Sequence, residues 1–207
     1  MITKPKFKIL LALLHQGYVR PELAQRVSLM EKDERVELTV LYTNKRPIES
    51  NRNFTVQEML KGDYDFLLTI DHDTVPRNNP LDLAFLGKDV VGCAYPQWNQ
   101  SDPNYPIYFV GMNKSKDGYR EHKEKRGLQE VDAVGSGCLM MSRKVLQKVK
   151  EPFVRKWKGG FPIVGLDFYF CEKAKEAGFK VFCHYGYLCS HFKDIDLLEV
   201  LKFKNGK

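Results

Sequence analysis

The chain has 207 residues, 43% of them hydrophobic and 29% charged, with a formal net charge of +7. That composition excludes an intrinsically disordered or fibrous chain and provides enough apolar material for one well-packed domain. No apolar run approaches the roughly 20 residues needed to span a bilayer, and five scattered cysteines with no C-x-x-C pair do not describe a disulfide framework.

Phe7 to Leu14 is a continuous apolar octet behind a basic start. No small-residue cleavage site follows it, so it reads as a buried first strand rather than a signal peptide, and points to the cytoplasm. Pro21 then opens a predicted amphipathic helix carrying Leu23, Val27 and Met30 on one face. Glu37 to Tyr42 alternates like a strand, and Phe54 to Leu60 is a short predicted helix stopped by Gly62. An apolar strand runs into Asp71, a helix is expected from about Leu81 to Leu86, and a further strand from Asp89 to Ala94. This βαβ series implies an α/β fold with a mostly parallel central sheet flanked by helices.

After Ala94 the chain becomes loop-like and aromatic through Pro106, and Lys114 to Arg126 reads as a charged hairpin or mobile loop. Gly135-Ser136-Gly137 leads into an apolar strand, Leu139 to Met141, followed by a helix from about Arg143 to Lys150. Asp167 to Ala177 is a strong helix ended by Gly178, Lys180 to Cys183 a strand, and Asp194 to Lys207 a helix or partner-docking tail.

The most informative stretch is the strand that stops at Asp71-His72-Asp73. At a strand end two carboxylates one residue apart can converge on a hard, oxygen-preferring cation, although D-x-D also occurs in ordinary turns. Val75-Pro76 then bars a simple continuation of the strand. Cys183, His184, Cys189 and His191 are metal-ligand types, but their spacing departs from the two separated knuckles of structural zinc sites, so buried thiols are the expectation. From Arg143 to Lys158 the basic residues face only Glu151, and Phe153 and Trp157 interleave with them. Such a strip suits a nucleic acid, an anionic lipid surface or plain solvent.

The order of these features resembles the GT-A class of nucleotide-sugar glycosyltransferases, most closely small members similar to glycosyltransferase family 2. It runs from the D-x-D strand through the Gly135–Gly137 turn and Gly165-Leu166-Asp167 opening a helix to the late His191, over residues 7 to 192. The resemblance implies a single Rossmann-like domain over 1–207: about 1–92 as nucleotide-sugar-binding half, about 93–192 as acceptor half, and about 193–207 as a C-terminal helix or tail. It implies Mn2+ or Mg2+ held by Asp71, Asp73 and His191, with Asp71 also leaning toward the donor ribose. His15, Gln16 and Thr43 would lie under the nucleoside of a UDP-sugar, Arg52 and Asn53 would read the nucleotide or hold the diphosphate, and Gly135 and Gly137 would admit the donor sugar. Asp167 matches the carboxylate that removes the acceptor proton in inverting relatives, although Leu166 stands where a glutamate is usual and a helix-opening Asp also serves as a cap. Tyr95, Trp98, Lys156 and Trp157 would grip a hydroxyl acceptor, either a modified nucleic acid such as a hydroxymethylated DNA base or a saccharide. A metal-dependent phosphoryl-transfer enzyme or nuclease, and a non-catalytic nucleic-acid-binding module, are the alternative readings of the same residues.

Overall fold

The computed structural model describes residues 6–98, 107–159 and 161–194. Asn99 to Pro106 and the expected C-terminal helix beyond Asp194 lie outside the described residues. In chain order the strands are β1 (Phe7–Leu14), β2 (Val36–Thr43), β3 (Phe66–Asp71), β4 (Thr74–Pro76), β5 (Val90–Ala94), β6 (Pro96–Trp98), β7 (Ile107–Phe109), β8 (Gly111–Ser115), β9 (Gly118–Glu121), β10 (Leu128–Val131), β11 (Ala133–Val134), β12 (Cys138–Ser142), β13 (Lys156–Lys158), β14 (Phe161–Val164) and β15 (Val181–His191). The α-helices are α1 (Pro21–Met30), α2 (Ile48–Lys61), α3 (Arg143–Lys148) and α4 (Leu166–Glu176), and Pro80–Leu86 forms a 3-10 helix.

The main sheet runs β10-β15-β5-β12-β3-β1-β2, with β4 attached to β15. β1, β2, β3, β5 and β15 share one direction, and β10 and β12 oppose them. The alternation of strand and helix in the first half gives the parallel part. It gives no sign that β12 inserts antiparallel between β3 and β5, because a strand buried on both faces reads as an unbroken apolar run whichever way it points. Central β1 is buried from Ile9 to Leu14, whereas β2, at the edge, exposes alternate residues.

α1 begins at Pro21 and buries Leu23, Val27 and Met30, as its spacing predicts. α2 extends for 14 residues, two turns earlier than the apolar pattern indicates. Its inward face opens with the polar residues Asn51, Arg52 and Thr55, and only then continues with Val56 and Met59. A helix whose buried stripe is polar for two turns leaves no hydrophobic periodicity to read. β15 likewise outruns its expected end at Cys183. Val181 to His184 pair with β5, the register shifts before Leu188, and Cys189 to His191 turn to pair with β4.

The basic stretch from Arg143 to Lys158 is not one surface. Arg143 donates to the carbonyls of Met59 (2.8 Å), Leu60 (3.3 Å), Gly62 and Tyr64 (2.6 Å), closing the C-terminal end of α2. Phe153 is fully buried and stacks on Phe170, so it does not interleave with surface cations. Arg155 pairs with Glu49 at 2.9 Å. Among the described residues no helix is long and apolar enough to cross a membrane.

Candidate functional site

Parallel register brings three strand ends level: Leu14 of β1 pairs with both Thr43 of β2 and Asp71 of β3. Backbone bonds then carry the chain past these ends side by side, from His15 N–H to Thr43 O at 3.0 Å and from His72 N–H to Leu14 O at 2.9 Å. The carboxyl edge of such a sheet is where α/β folds place ligands. A cleft of about 200 Å³ opens there, lined by His15, Gln16, Asn44, Lys45, Ile48 and Asn51 among others. Buried Asn51 shapes it: its Oδ1 accepts from Thr43 Oγ1 (2.6 Å) and Lys45 N–H (3.0 Å), and its Nδ2 donates to Thr43 O (3.1 Å). His15 and Gln16 therefore line the cleft as the sequence suggests, while the Thr43 hydroxyl is committed to Asn51.

The two carboxylates of the D-x-D motif have different surroundings. Arg52 Nη2 donates to both oxygens of Asp71 at 2.8 Å, and Arg52 Nη1 donates to Ser136 O at 3.2 Å. Arg52 is 3% exposed. Burial pushes the Asp71 carboxyl up from its ordinary value, with the Arg52 guanidinium opposing it. The two terminal nitrogens of the guanidinium expected to hold a diphosphate thus bond to Asp71 and to the backbone before β12, both Asp71 oxygens accept from it, and its buried Nε has no partner among the described residues. Asn53 likewise turns to the core, donating to Phe153 O at 2.8 Å and accepting from Phe153 N–H at 3.2 Å.

Asp73 is not paired with Arg52 and instead meets the end of β15. Its Oδ2 lies 3.4 Å from His191 Nε2 and accepts from Lys193 Nζ at 2.7 Å. Burial works to raise the Asp73 carboxyl, but the hydrogen bonds from His191 and Lys193 outweigh it and hold the group well below the usual carboxylate range. Pairing of β15 with β4 makes this contact: His191 stands opposite Thr74, and Phe192 N–H donates to Asp73 O at 2.8 Å. His191 Nδ1 bonds to Pro96 O at 2.8 Å, which directs Nε2 at the carboxylate. Two donor atoms that each approach one ion to about 2.1 Å lie about 3 Å apart, so Asp73 Oδ2 and His191 Nε2 fit a shared divalent cation.

Asp167, in the first turn of α4, does not cap its own helix. Ser136 N–H donates to its Oδ2 at 3.1 Å and Ser136 Oγ to its Oδ1 at 2.6 Å, which fixes the carboxylate beside the Arg52–Asp71 pair. Gly135 and Gly137 flank that serine for a packing reason. A Cβ on Gly137 would lie 2.8–2.9 Å from Tyr95 and Thr74 Oγ1, and one on Gly135 would strike the Tyr95 hydroxyl. Tyr95 itself is 5% exposed, accepts from Gly137 N–H at 3.0 Å and meets His191 edge-on at 5.0 Å. It is the floor of the site rather than an open acceptor wall. Trp98 is half-buried, and Lys156 and the 59% exposed Trp157 stand on the surface, Lys156 over Tyr169 at 5.1 Å.

The residues that sequence reasoning missed are Asn51, Ser136 and Lys193. Ser136 had a signal in its flanking glycines; Asn51 and Lys193 carry none beyond their neighbourhood in the chain. The cysteine–histidine set considered for zinc does not assemble. The thiols that do meet are Cys93, Cys138 and Cys189, all buried and within 4.8 Å of one another, which leaves His191 to Asp73.

Neither a protein-family model nor a curated protein sequence matches the chain. Solved structures do. The crystal structure of A197 from STIV aligns with a TM-score of 0.62 at 22% identity, over 91% of this chain and 87% of that one. UDP-glucose pyrophosphorylase complexed with UDP-glucose aligns at 0.53 and 10% identity, over 98% of each chain. GalNAc-T7 with UDP, GalNAc and Mn2+ aligns at 0.51 and 10% identity over 97% of this chain, which spans 48% of that one. The likeness is one of fold: a single mixed α/β, Rossmann-like domain with a large central sheet.

Proposed function

We propose that the chain is a metal-dependent glycosyltransferase that moves a sugar from a nucleoside-diphosphate sugar, UDP-linked, to a hydroxyl acceptor with inversion. The observation that carries this reading is the pairing of Asp73 Oδ2 with His191 Nε2 at 3.4 Å on the same sheet edge as a nucleoside-sized cleft. Asp73 and His191 would hold Mn2+ or Mg2+, which supplies positive charge where the departing diphosphate gains negative charge. The cleft at His15, Gln16 and Asn44 takes the base and ribose. Arg52 and Asn53 serve as positioning residues, Arg52 through Asp71 and Asn53 through Phe153.

Asp167 is the base in this reading. As the acceptor oxygen bonds to the anomeric carbon and the carbon–oxygen bond to the diphosphate breaks, the acceptor proton passes to Asp167, and Ser136 keeps the carboxylate aimed. Trp98, Lys156 and Trp157 are the acceptor contacts. Dispersal of the basic stretch into a helix cap, an ion pair and a buried phenylalanine favours a saccharide acceptor over a nucleic acid.

Nucleotidyl transfer is the second reading. It is favoured by the alignment with UDP-glucose pyrophosphorylase and with the inositol-1-phosphate CTP transferase from T. maritima, the latter at a TM-score of 0.52 and 13% identity over 99% of each chain. One experiment separates them: nucleotide sugars incubated with Mn2+, with and without pyrophosphate, for wild type and Asp73→Asn. Metal-dependent release of nucleoside diphosphate that Asp73→Asn abolishes supports glycosyl transfer. Formation of nucleoside triphosphate only when pyrophosphate is present replaces it with nucleotidyl transfer.

A further inference from the structure

Lys193 is the unexplained cation of the site. Its Nζ donates to Asp73 Oδ2, the same oxygen that faces His191 Nε2, while Asp73 Oδ1 lies 3.4 Å from Thr74 Oγ1. A divalent ion between Asp73 Oδ2 and His191 Nε2 would lie beside an ammonium that is 2.7 Å from the same oxygen, and like charges that close repel, so the two compete. The backbone around Lys193 is held independently of that contact. Phe192 N–H donates to Asp73 O at 2.8 Å, and the Arg20 guanidinium lies 4.3 Å from the Phe192 ring centroid. The side chain is 37% exposed, so its four-carbon stem is free to swing while its Cα stays in place. Arg52 is 3% exposed and its two terminal nitrogens are turned to Asp71 and Ser136 O, so it offers little to a ligand from solvent. A diphosphate at this edge would draw on cations other than Arg52; Lys45 lines the neighbouring cleft, and Lys193 lies beside Asp73, the carboxylate proposed to hold the metal.

Resting on the reading of Asp73 and His191 as the metal site, we propose that Lys193 is an exchange cation: it neutralises Asp73 when no metal is bound and moves to the nucleoside diphosphate when a divalent ion takes its place. Metal binding alone leaves the ammonium without a partner, whereas metal and diphosphate together provide one. Each ligand then strengthens the other, and by linkage the coupling is reciprocal.

The test is Mn2+ binding, followed by its electron-spin-resonance signal, with Mn2+ alone and with Mn2+ plus UDP, on wild type, Lys193→Met and Asp73→Asn. Lys193→Met removes the competitor and the phosphate partner at an exposed position. It is expected to bind Mn2+ alone about tenfold more tightly, while the tightening that UDP brings shrinks about tenfold, within the usual 5- to 150-fold range of coupling between sites. Unchanged or weaker Mn2+ binding by Lys193→Met, with binding lost in Asp73→Asn, overturns the exchange and leaves the metal site standing. Wild-type Mn2+ binding by Asp73→Asn overturns the metal site and the exchange with it.

Discussion

Replacing Arg52 with methionine isolates the buried charge pair on which the site is built. The guanidinium is 4% exposed and the Asp71 side chain 26%, with both carboxylate oxygens 2.8 Å from Arg52 Nη2. Removing one partner of a buried pair costs about 3–5 kcal/mol because the other charge is left uncompensated, and the partial exposure of Asp71 places the loss near the lower end. For a chain of this size, about 3 kcal/mol lowers the thermal midpoint by roughly 6–12 °C. The pH dependence follows from the sign of the shift. Burial already raises Asp71 and Arg52 opposes it, so without Arg52 the folded-state value rises further above the unfolded one. Asp71 in the variant is then tolerated when protonated, and stability is lost as pH rises through that higher value. Urea melts should show a larger deficit at pH 8 than at pH 5, and Arg52→Met with Asp71→Asn should recover most of it. A deficit under about 1 kcal/mol at pH 8, or one that is the same at both pH values, would refute the argument that the pair is buried and energetically coupled.

Arg143→Met should cost about 2–4 kcal/mol in urea melts, since several carbonyls at the end of α2 lose a charged donor, while UDP binding stays unchanged; lost UDP affinity with intact stability would instead make Arg143 a ligand contact. Gly137→Ala should destabilise by about 1–3 kcal/mol, because the new methyl meets buried Tyr95 and Thr74 at 2.8–2.9 Å, and a melt within error of wild type would show that this packing relaxes. Away from the site, the Arg35 guanidinium holds Asp33 down at about 2. Its depressed value stabilises the fold above the unfolded value near 4 and is lost as pH falls toward 2. With Arg35 half exposed, Asp33→Asn should cost about 1 kcal/mol at pH 7 and almost nothing at pH 2; an equal cost at both would assign the effect to packing.

Much of the framework follows from local physics. The apolar octet of β1, the Pro21-initiated face of α1, the alternation of β2 and the strand running into Asp71 each occur where periodicity and stop signals place them. The D-x-D carboxylates stand out at a strand end against an apolar background, whereas Asp167 and His191 join them only through the family resemblance; the structure puts His191 beside Asp73 and Asp167 beside the Arg52–Asp71 pair. What stayed hidden was partnership. Arg52 precedes the helix predicted from Phe54 and is in fact a buried residue of α2, since a polar inward face erases the pattern that marks a helix.

The amino-acid sequence by itself determined where most of the first-half strands and helix α1 lie, because an apolar period is written in residues a few positions apart. Only the tertiary structure decided the rest. The antiparallel insertion of β12 places Ser136 beside Asp167 and Arg52, and the turn of β15 onto β4 carries His191 and Lys193 to Asp73, more than a hundred residues earlier in the chain. Those pairings are long-range and are selected by burial and register across the whole sheet, and no local pattern of residues encodes them.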